Sequence, residues 1–297
     1  MKRALIGILV LAFATMVWAQ EAVDQRLQAA KTGVVEISNV AGSVTVTGWD
    51  DAEVWVKGTL GRGTERLEFR SVGDRTVVRV VLPQDSHHVD GSTLEIRVPR
   101  QSRLDVETVS ADITVDEVVG REDLQSVSGT IAVRGAPSEL VAETVSGGLN
   151  ADVTTERARL ESVSGDIEVK TPSREIEVNT VSGAISAFGE APTSVRLETV
   201  SGRLGYEGGL AKGARCEVSS VSGTVELVFP ADVDADFEVS TFSGTIRNEL
   251  GGTAERREEH GHGHEHGEGH GLSFVRGSGS ARVVAESFSG AVHIRTR

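Results

Sequence analysis

The sequence predicts an all-β fold, a single-stack β-solenoid with coils of about 18–21 residues, and a repeated phrase carries this prediction. The phrase is Ser or Thr, then Val or Phe, then Ser, then Gly in all copies but the first. Its central apolar residue stands at Val109, Val127, Val145, Val163, Val181, Val200, Val221, Phe242 and Phe288. The spacing is 18 residues four times, then 19, 21, 21 and 46. Fixed periods of this size indicate stacked repeats.

Apolar residues flank the phrase at constant distances. Three positions before its centre lie Val106, Leu124, Ala142, Leu160, Val178, Leu197, Val218, Val239 and Ala285; four positions after it lie Ile113, Ile131, Leu149, Ile167, Ile185, Leu204, Val225, Ile246 and Val292. This pattern predicts two short strands joined at a Ser-Gly bend. One copy cannot bury its own apolar face, so the copies are expected to stack at the ~4.8 Å strand spacing.

The direction in which the phrase faces is open to two interpretations. Strict strand alternation would bury the Ser or Thr before each centre and expose the Val itself. A bulge before the Val would reverse this arrangement. We expect the Val residues to point inward, because burying seven of them outweighs hydrogen bonds that each contribute only ~1 kcal/mol.

The N-terminal third divides into three predicted segments. Residues 1–19 read as a secretory signal peptide, with Lys2 and Arg3 before an apolar run and small residues before the cleavage point. Residues 20–32 are expected to be a helical or frayed lead-in. Residues 33–100 are expected to form irregular, wider coils that contain hairpins and cap the stack. Within them, Ile37 to Val46 match the repeat as a degenerate first copy.

The remaining chain is predicted to comprise the regular solenoid at 101–250, an insertion at 251–271 and a final coil at 272–297. An N-terminal strand set ending in Val98-Pro99, followed by tandem Thr-Val-Ser-Gly copies, resembles the bacterial exported domain family named "putative adhesin". It is also similar to the head domains of "putative" auto-transporter adhesins. The resemblance implies a β-helix-like fold and an exported protein, periplasmic or at the cell surface, and it implies no catalytic residues.

The charge and the cysteine content of the chain limit the classes of partner that it is expected to bind. The formal net charge of −14 becomes −16 when Lys2 and Arg3 leave with the signal peptide. An acidic exported chain does not attract nucleic acid, and no transmembrane span is expected after cleavage. The single cysteine, Cys216, falls in an apolar column and is expected to be a buried small hydrophobe.

The insertion holds the candidate metal ligands. His260, His262, His264, His266 and His270 alternate mainly with glycine, which predicts a flexible loop. Imidazoles suit Zn, Ni or Cu, although nothing in the sequence fixes a ligand geometry. No cofactor is otherwise required.

Two further patterns resemble binding or catalytic sites. Asp232, Asp234 and Asp236 alternate like the start of a calcium loop, but Phe237 stands where such a loop needs glycine. Glu143 and Glu161 fall in one column, as carboxylates do in solenoid enzymes that cleave polysaccharides. The mixed composition of that column favours an outward face over a catalytic one.

Three function classes follow. The first is a non-enzymatic exported scaffold or adhesin-like interaction protein that presents a rigid surface to an envelope protein or an extracellular ligand. The second is a metal-binding or metal-sequestering envelope protein that acts through the His-rich loop. The third is a solenoid that recognises a glycan, or even ice, through its hydroxyl residues, which would require both hydroxyls flanking each Val to face outward.

Overall fold

The computed structural model describes residues 21–83, 90–251, 253–255 and 270–297, and the regular elements in those ranges are all β-strands. The predicted signal peptide lies outside the described residues. The all-β stack and its hairpin-containing N-terminal coils are confirmed. The described ranges contain no helix long and apolar enough to cross a membrane.

Six strands build the N-terminal end: β1 (Glu21–Gln28), β2 (Val34–Trp49), β3 (Glu53–Leu60), β4 (Arg66–Val72), β5 (Arg75–Val81) and β6 (Ser92–Pro99). Strands β4 and β5 form an antiparallel hairpin, and β3 pairs antiparallel with both β1 and β6. A helical or frayed lead-in was therefore the wrong expectation for β1. Its Val23 is buried in the core, which ties this short strand to the edge of β3.

The degenerate first copy lies in β2, and the register confirms it. Strand β2 runs parallel to β7 (Arg103–Asp116), with Ile37 opposite Val106 and Val44 opposite Ile113. On its other side β2 pairs with β5 and β6. The long β2 and β7 strands thus join the irregular N-terminal coils to the regular stack.

The regular coils contribute one strand to each of two parallel columns. The first column contains β8 (Arg121–Ser126), β10 (Glu139–Thr144), β12 (Arg157–Ser162), β14 (Glu175–Ser182), β16 (Ser194–Ser201) and β18 (Arg215–Ser222). The second contains β9 (Ile131–Gly135), β11 (Leu149–Val153), β13 (Ile167–Thr171), β15 (Ile185–Gly189), β17 (Leu204–Gly208) and β19 (Val225–Phe229). Each strand pairs in parallel with its equivalent one coil away, so every column position is repeated along the stack.

The apolar columns form the core, as the repeat predicts. Leu160 lies beside Val178 and Ile167 beside Ile185, and all four are at most 1% exposed. Cys216 is also fully buried, next to Val195, and its burial raises the pKa of the thiol to about 12. The core is therefore narrow and aliphatic over most of its length.

The orientation expected for the repeated phrase is wrong. Val109, Val127, Val145, Val163, Val181, Val200 and Val221 are 43–49% exposed, and the Ser or Thr before each of them is buried. Strand alternation continues without a bulge through this position. Val residues stacked on one another keep about half of their surface covered, so exposing them costs less than full solvation would.

The buried hydroxyls have a structural task at the bend. Ser126, Thr144 and Ser162 each accept a hydrogen bond from the amide of the glycine three residues later, at 2.8–3.1 Å. The Thr108 hydroxyl lies 3.0 Å from that of Ser126 on the next coil. A valine in these places would leave the buried glycine amide without an acceptor, which costs about 1–3 kcal/mol. In these three coils the penalty favours the observed orientation. In four other copies the equivalent hydroxyl is buried without a hydrogen-bond partner among the described residues, namely Thr180, Thr199, Ser220 and Ser287.

The C-terminal strands do not stack in chain order. They are β20 (Ala235–Thr241), β21 (Thr245–Asn248), β22 (Thr253–Glu255), β23 (His270–Arg276), β24 (Ala281–Ser289) and β25 (Ala291–Thr296). Strand β24 lies between β18 and β20, and β25 lies between β19 and β21. The last coil of the chain is therefore inserted before the coil of Phe242. Strand β23 covers the outer edge of β20 in antiparallel pairing and caps this end.

Candidate functional site

The exposed valines form a continuous apolar stripe along the first strand column. This valine stripe consists of Val109, Val127, Val145, Val163, Val181, Val200 and Val221. Because the phrase repeats in every coil and the coils stack in register, the stripe continues from coil to coil and its members are ~4.8 Å apart. Contiguous exposed apolar surface of this kind is typical of an interaction site.

The stripe lies in a groove, the valine groove, with a volume of about 830 Å³. The groove extends from Val40 on β2 to Val221, which spans seven coil steps or roughly 34 Å. One wall is the polar column two residues before each valine: Glu107, Gln125, Glu143, Glu161, Asn179, Glu198 and Ser219. The buried hydroxyls of the repeat line its floor.

The polar wall is acidic and only partly neutralised. Glu161 forms an ion pair with Arg159 at 2.6 Å, on the side away from the stripe. Among the described residues, Glu107, Glu143 and Glu198 form no ion pair within 4 Å. The groove lining contains these four glutamates and neither lysine nor arginine. The site therefore combines an apolar row with a neighbouring row of negative charge.

Two phenylalanines extend the stripe at its C-terminal end. Phe288 and Phe242 occupy the valine position in the last two coils, and their rings stack in parallel with centroids 4.9 Å apart. They are 56% and 45% exposed, respectively. The insertion of the last coil places Phe288 next to Val221, so the apolar surface continues without a gap.

Of the predicted metal ligands, only His270 lies among the described residues. It is the first residue of β23 and is exposed, opposite Thr241 of β20. His260, His262, His264 and His266 lie outside the described residues, in the segment that links β22 to β23. Within the described part of the chain, no group of three His, Cys, Asp or Glu side chains could hold a metal ion.

Of the three alternating aspartates at 232, 234 and 236, Asp234 has a structural role. Its carboxylate accepts hydrogen bonds from the amide and hydroxyl of Ser278, at 2.6 and 2.9 Å, and from the amide of Ser280. The Ser278 hydroxyl, the Ser280 amide and their companion bonds lower the pKa of Asp234 to about 2. The residue fixes the turn between β23 and β24. Asp236 points outward from β20 as an ordinary solvated side chain.

One buried ionisable group escaped the sequence interpretation. Glu122 of β8 stands between Leu104 and Leu140 in an apolar column, and its side chain is fully buried. Neither carboxylate oxygen has a hydrogen-bond partner among the described residues. Desolvation, with the nearby charge of Asp116 as a smaller cause, raises the pKa of Glu122 to about 8. Alignment of the repeats would have found it, because every other coil carries a small or apolar residue there.

The hydroxyl-based recognition surface is not formed as that hypothesis requires. Thr144 before Val145 is buried, whereas Ser146 after it is exposed. The same division holds in the other regular coils. Only one hydroxyl of each pair therefore reaches solvent, and the flat double row needed for that function is absent from the described coils.

Together, the fold and this site define a β-solenoid repeat protein with an open apolar groove along one side. The chain belongs to the Toastrack DUF4097 family, whose model matches residues 38–295. The family assignment agrees with the resemblance inferred from the repeated phrase. No curated protein matches the chain significantly.

Several solved structures are similar in part. A protein named "putative adhesin" from Parabacteroides merdae is 8% identical, with 92% of this chain and 96% of that chain covered and a TM-score of 0.41. A second "putative adhesin", from Bacteroides fragilis, is 8% identical, with coverages of 93% and 98% and a TM-score of 0.38. A "putative lipid binding protein" from Parabacteroides distasonis is 9% identical, with coverages of 93% and 96% and a TM-score of 0.33.

Proposed function

We propose that the protein is a non-enzymatic, exported scaffold of the bacterial envelope that binds a partner protein along the valine groove. The single observation that carries the proposal is the valine stripe, a continuous row of half-exposed apolar side chains in seven successive coils. Soluble proteins rarely leave such a row uncovered unless it has a partner. The signal-peptide pattern of residues 1–19 supports export.

The stacked architecture suits a scaffold. Each coil is hydrogen-bonded to the coils on both sides, so the groove is part of a rigid sheet and changes little on binding. A pre-organised surface loses little conformational entropy when a partner docks, which favours affinity from a shallow apolar site. Val127, Val145 and Val163 stand at the bends just after β8, β10 and β12, where their amides donate hydrogen bonds to the preceding coil.

The test is site-specific photo-crosslinking in the native envelope. A photoreactive residue at Val163 is expected to form a discrete adduct, whereas one at Val72, which is exposed but off the stripe, is not. A triple substitution of Val127, Val145 and Val181 by serine should abolish the adduct formed at Val163. Equal adducts from Val163 and Val72, or an adduct that survives the triple substitution, would reject the groove as the binding site.

Metal sequestration through the His-rich segment is a second proposal. It rests on the five histidines His260, His262, His264, His266 and His270 in eleven residues. Their imidazoles would take Zn, Ni or Cu, with no cofactor needed for the scaffold itself. This function is compatible with the first, since β22 and β23, which flank the segment in sequence, do not line the groove.

A further inference from the structure

The valine groove is negatively charged, and this charge selects among protein partners. Its lining contains four glutamates and no basic residue, and three of the four glutamates form no ion pair among the described residues. Basic side chains are plentiful elsewhere on the same strands, where they pair with acidic neighbours, as Arg157 does with Glu175 at 2.6 Å. The negative charge beside the stripe is therefore left for a partner to neutralise.

The backbone of the groove selects the conformation of the partner. The amide of Val163 donates to the carbonyl of Thr144, and the amide of Ser164 donates to the carbonyl of Val145. Equivalent bonds link Val145 and Ser146 to the preceding coil. An extended peptide would need free backbone N–H and C=O groups on the protein to which it binds. In this groove the backbone groups named above are already hydrogen-bonded between coils. A ligand whose own backbone is internally bonded fits better, which means an α-helix.

The dimensions agree with this choice. A groove of roughly 34 Å accommodates about 23 helical residues at 1.5 Å per residue. One face of a helix presents apolar side chains about every 5.4 Å, close to the ~4.8 Å spacing of the valines. A second copy of this chain is a poor occupant, because its own groove would add acidic residues and no cations.

We propose that the valine groove binds an amphipathic α-helix of a partner protein, with lysine or arginine residues alongside its apolar face. This inference rests on the proposed scaffold function and specifies the partner that the groove takes. The apolar face covers the valine stripe, and the basic residues pair with Glu107, Glu143 and Glu198. The contact is helix-in-groove recognition, with charge setting the orientation of the helix.

The probe is a 22-residue helical peptide of leucine and lysine with its leucines along one face, titrated into the mature protein by fluorescence anisotropy. We expect it to bind at least tenfold more tightly than a leucine and glutamate peptide of the same pattern. Affinity should also fall at least tenfold in Glu143→Gln/Glu198→Gln. The matched control, Glu190→Gln/Glu249→Gln, changes the net charge equally at exposed positions outside the groove and should bind like the wild type.

Three outcomes overturn the inference. Equal loss in both double variants would show general attraction to an acidic protein, and tighter binding of the glutamate peptide would reverse the charge selection. Absence of binding by the lysine peptide also rejects it. If Val163 still gives its envelope adduct in that case, the scaffold function stands with another class of partner. If the adduct is missing as well, both proposals fail.

Discussion

The hydroxyl of Ser162 accepts a hydrogen bond of 2.8 Å from the amide of Gly165. A Cβ atom on Gly165 would lie 3.0 Å from the same oxygen and 1.8 Å from the carbonyl oxygen of Gly147 one coil away. The repeated serine and glycine are thus coupled: the serine satisfies the bend, and the glycine allows adjacent coils to approach. The same bond is present at Ser126 and Thr144, whereas the close approach of the glycine to the backbone of the next coil also occurs at Gly183, Gly202 and Gly223.

Gly165→Ala should destabilise the stack by about 1–3 kcal/mol or more, because the added methyl group meets the backbone of the neighbouring coil. The measurement is the free energy of unfolding in denaturant. Gly148→Ala is the matched control, since a Cβ there finds only Asp166 O at 3.7 Å. Equal effects of the two substitutions would contradict the close approach of coils at Gly165.

Ser162→Ala should cost about 1–3 kcal/mol, because it leaves the buried amide of Gly165 without an acceptor. Val163→Ser should cost less than about 1 kcal/mol, because Val163 is already 46% exposed. Thermal melting of the two variants compares them directly. A larger loss for Val163→Ser would mean that the valines, and not the hydroxyls, belong to the core.

Glu122→Leu should raise stability, because it replaces an unpartnered buried carboxyl with the residue type of its neighbours Leu104 and Leu140. The gain depends on pH. Below the ordinary pKa of 4.5, Glu122 is protonated in both the folded and the unfolded state. Above it the unfolded state releases the proton first, so wild-type stability falls until the folded pKa of about 8 is reached.

The slope of that loss is at most about 1.4 kcal/mol per pH unit between pH 4.5 and 8. Denaturant unfolding of the wild type and Glu122→Leu at pH 5, 6.5 and 8 measures it as a widening difference. Glu122→Gln serves as the control, since it keeps the polar shape without a titrating group. A constant difference between wild type and Glu122→Leu across this range would contradict the raised pKa.

Cys216 should resist thiol reagents in the native protein, because it is fully buried and its pKa is raised to about 12. It should react once the surrounding coils separate. Following its modification in increasing denaturant therefore reports the opening of the stack at β18. Rapid reaction in the absence of denaturant would show that this region is open to solvent.

The protein should bind Zn²⁺, Ni²⁺ or Cu²⁺ weakly near neutral pH and release it as the imidazoles protonate below their ~6.5 reference pKa. Calorimetry with His260, His262, His264, His266 and His270 replaced by serine tests this. The control is His293→Ser, which changes a histidine on β25 outside the run. Retained binding in the five-fold variant would place the metal elsewhere, and no binding in the wild type would end the proposal.

Much of the fold was predictable because a column position is defined by sequence period alone. Ile167 and Ile185 are opposite one another in the structure as the 18-residue spacing implies. The same period does not show which residues of the phrase point into the core. Shifting the inward and outward alternation by one residue leaves every spacing unchanged. In the coil of Ser162 the hydrogen bond from the Gly165 amide favours burial of the hydroxyl, and that bond depends on the local geometry of the bend.

The order of the C-terminal coils was not predictable for a related reason. The coils of Val221, Phe242 and Phe288 carry equivalent residues in every column, so either order satisfies the core. The 46-residue spacing indicates an insertion without showing where the chain returns. The antiparallel β23 on the outer edge of β20 leaves β24 the inner position. The valine groove could be located only once it was known that the valines of the phrase point outward.

The inserted last coil has a consequence for how the protein assembles during synthesis. A chain that becomes available from its N-terminus can add coils in sequence as far as β18 and β19. The coil of β20 and β21 then has no neighbour to dock on until β24 and β25 arrive and fill the space between them. Completion of the stack is therefore tied to delivery of residues 281–297. Loss of those residues would leave β18 and β19, and likewise β20 and β21, without the strands that pair with them, and unpaired strand edges are prone to aggregation and to degradation.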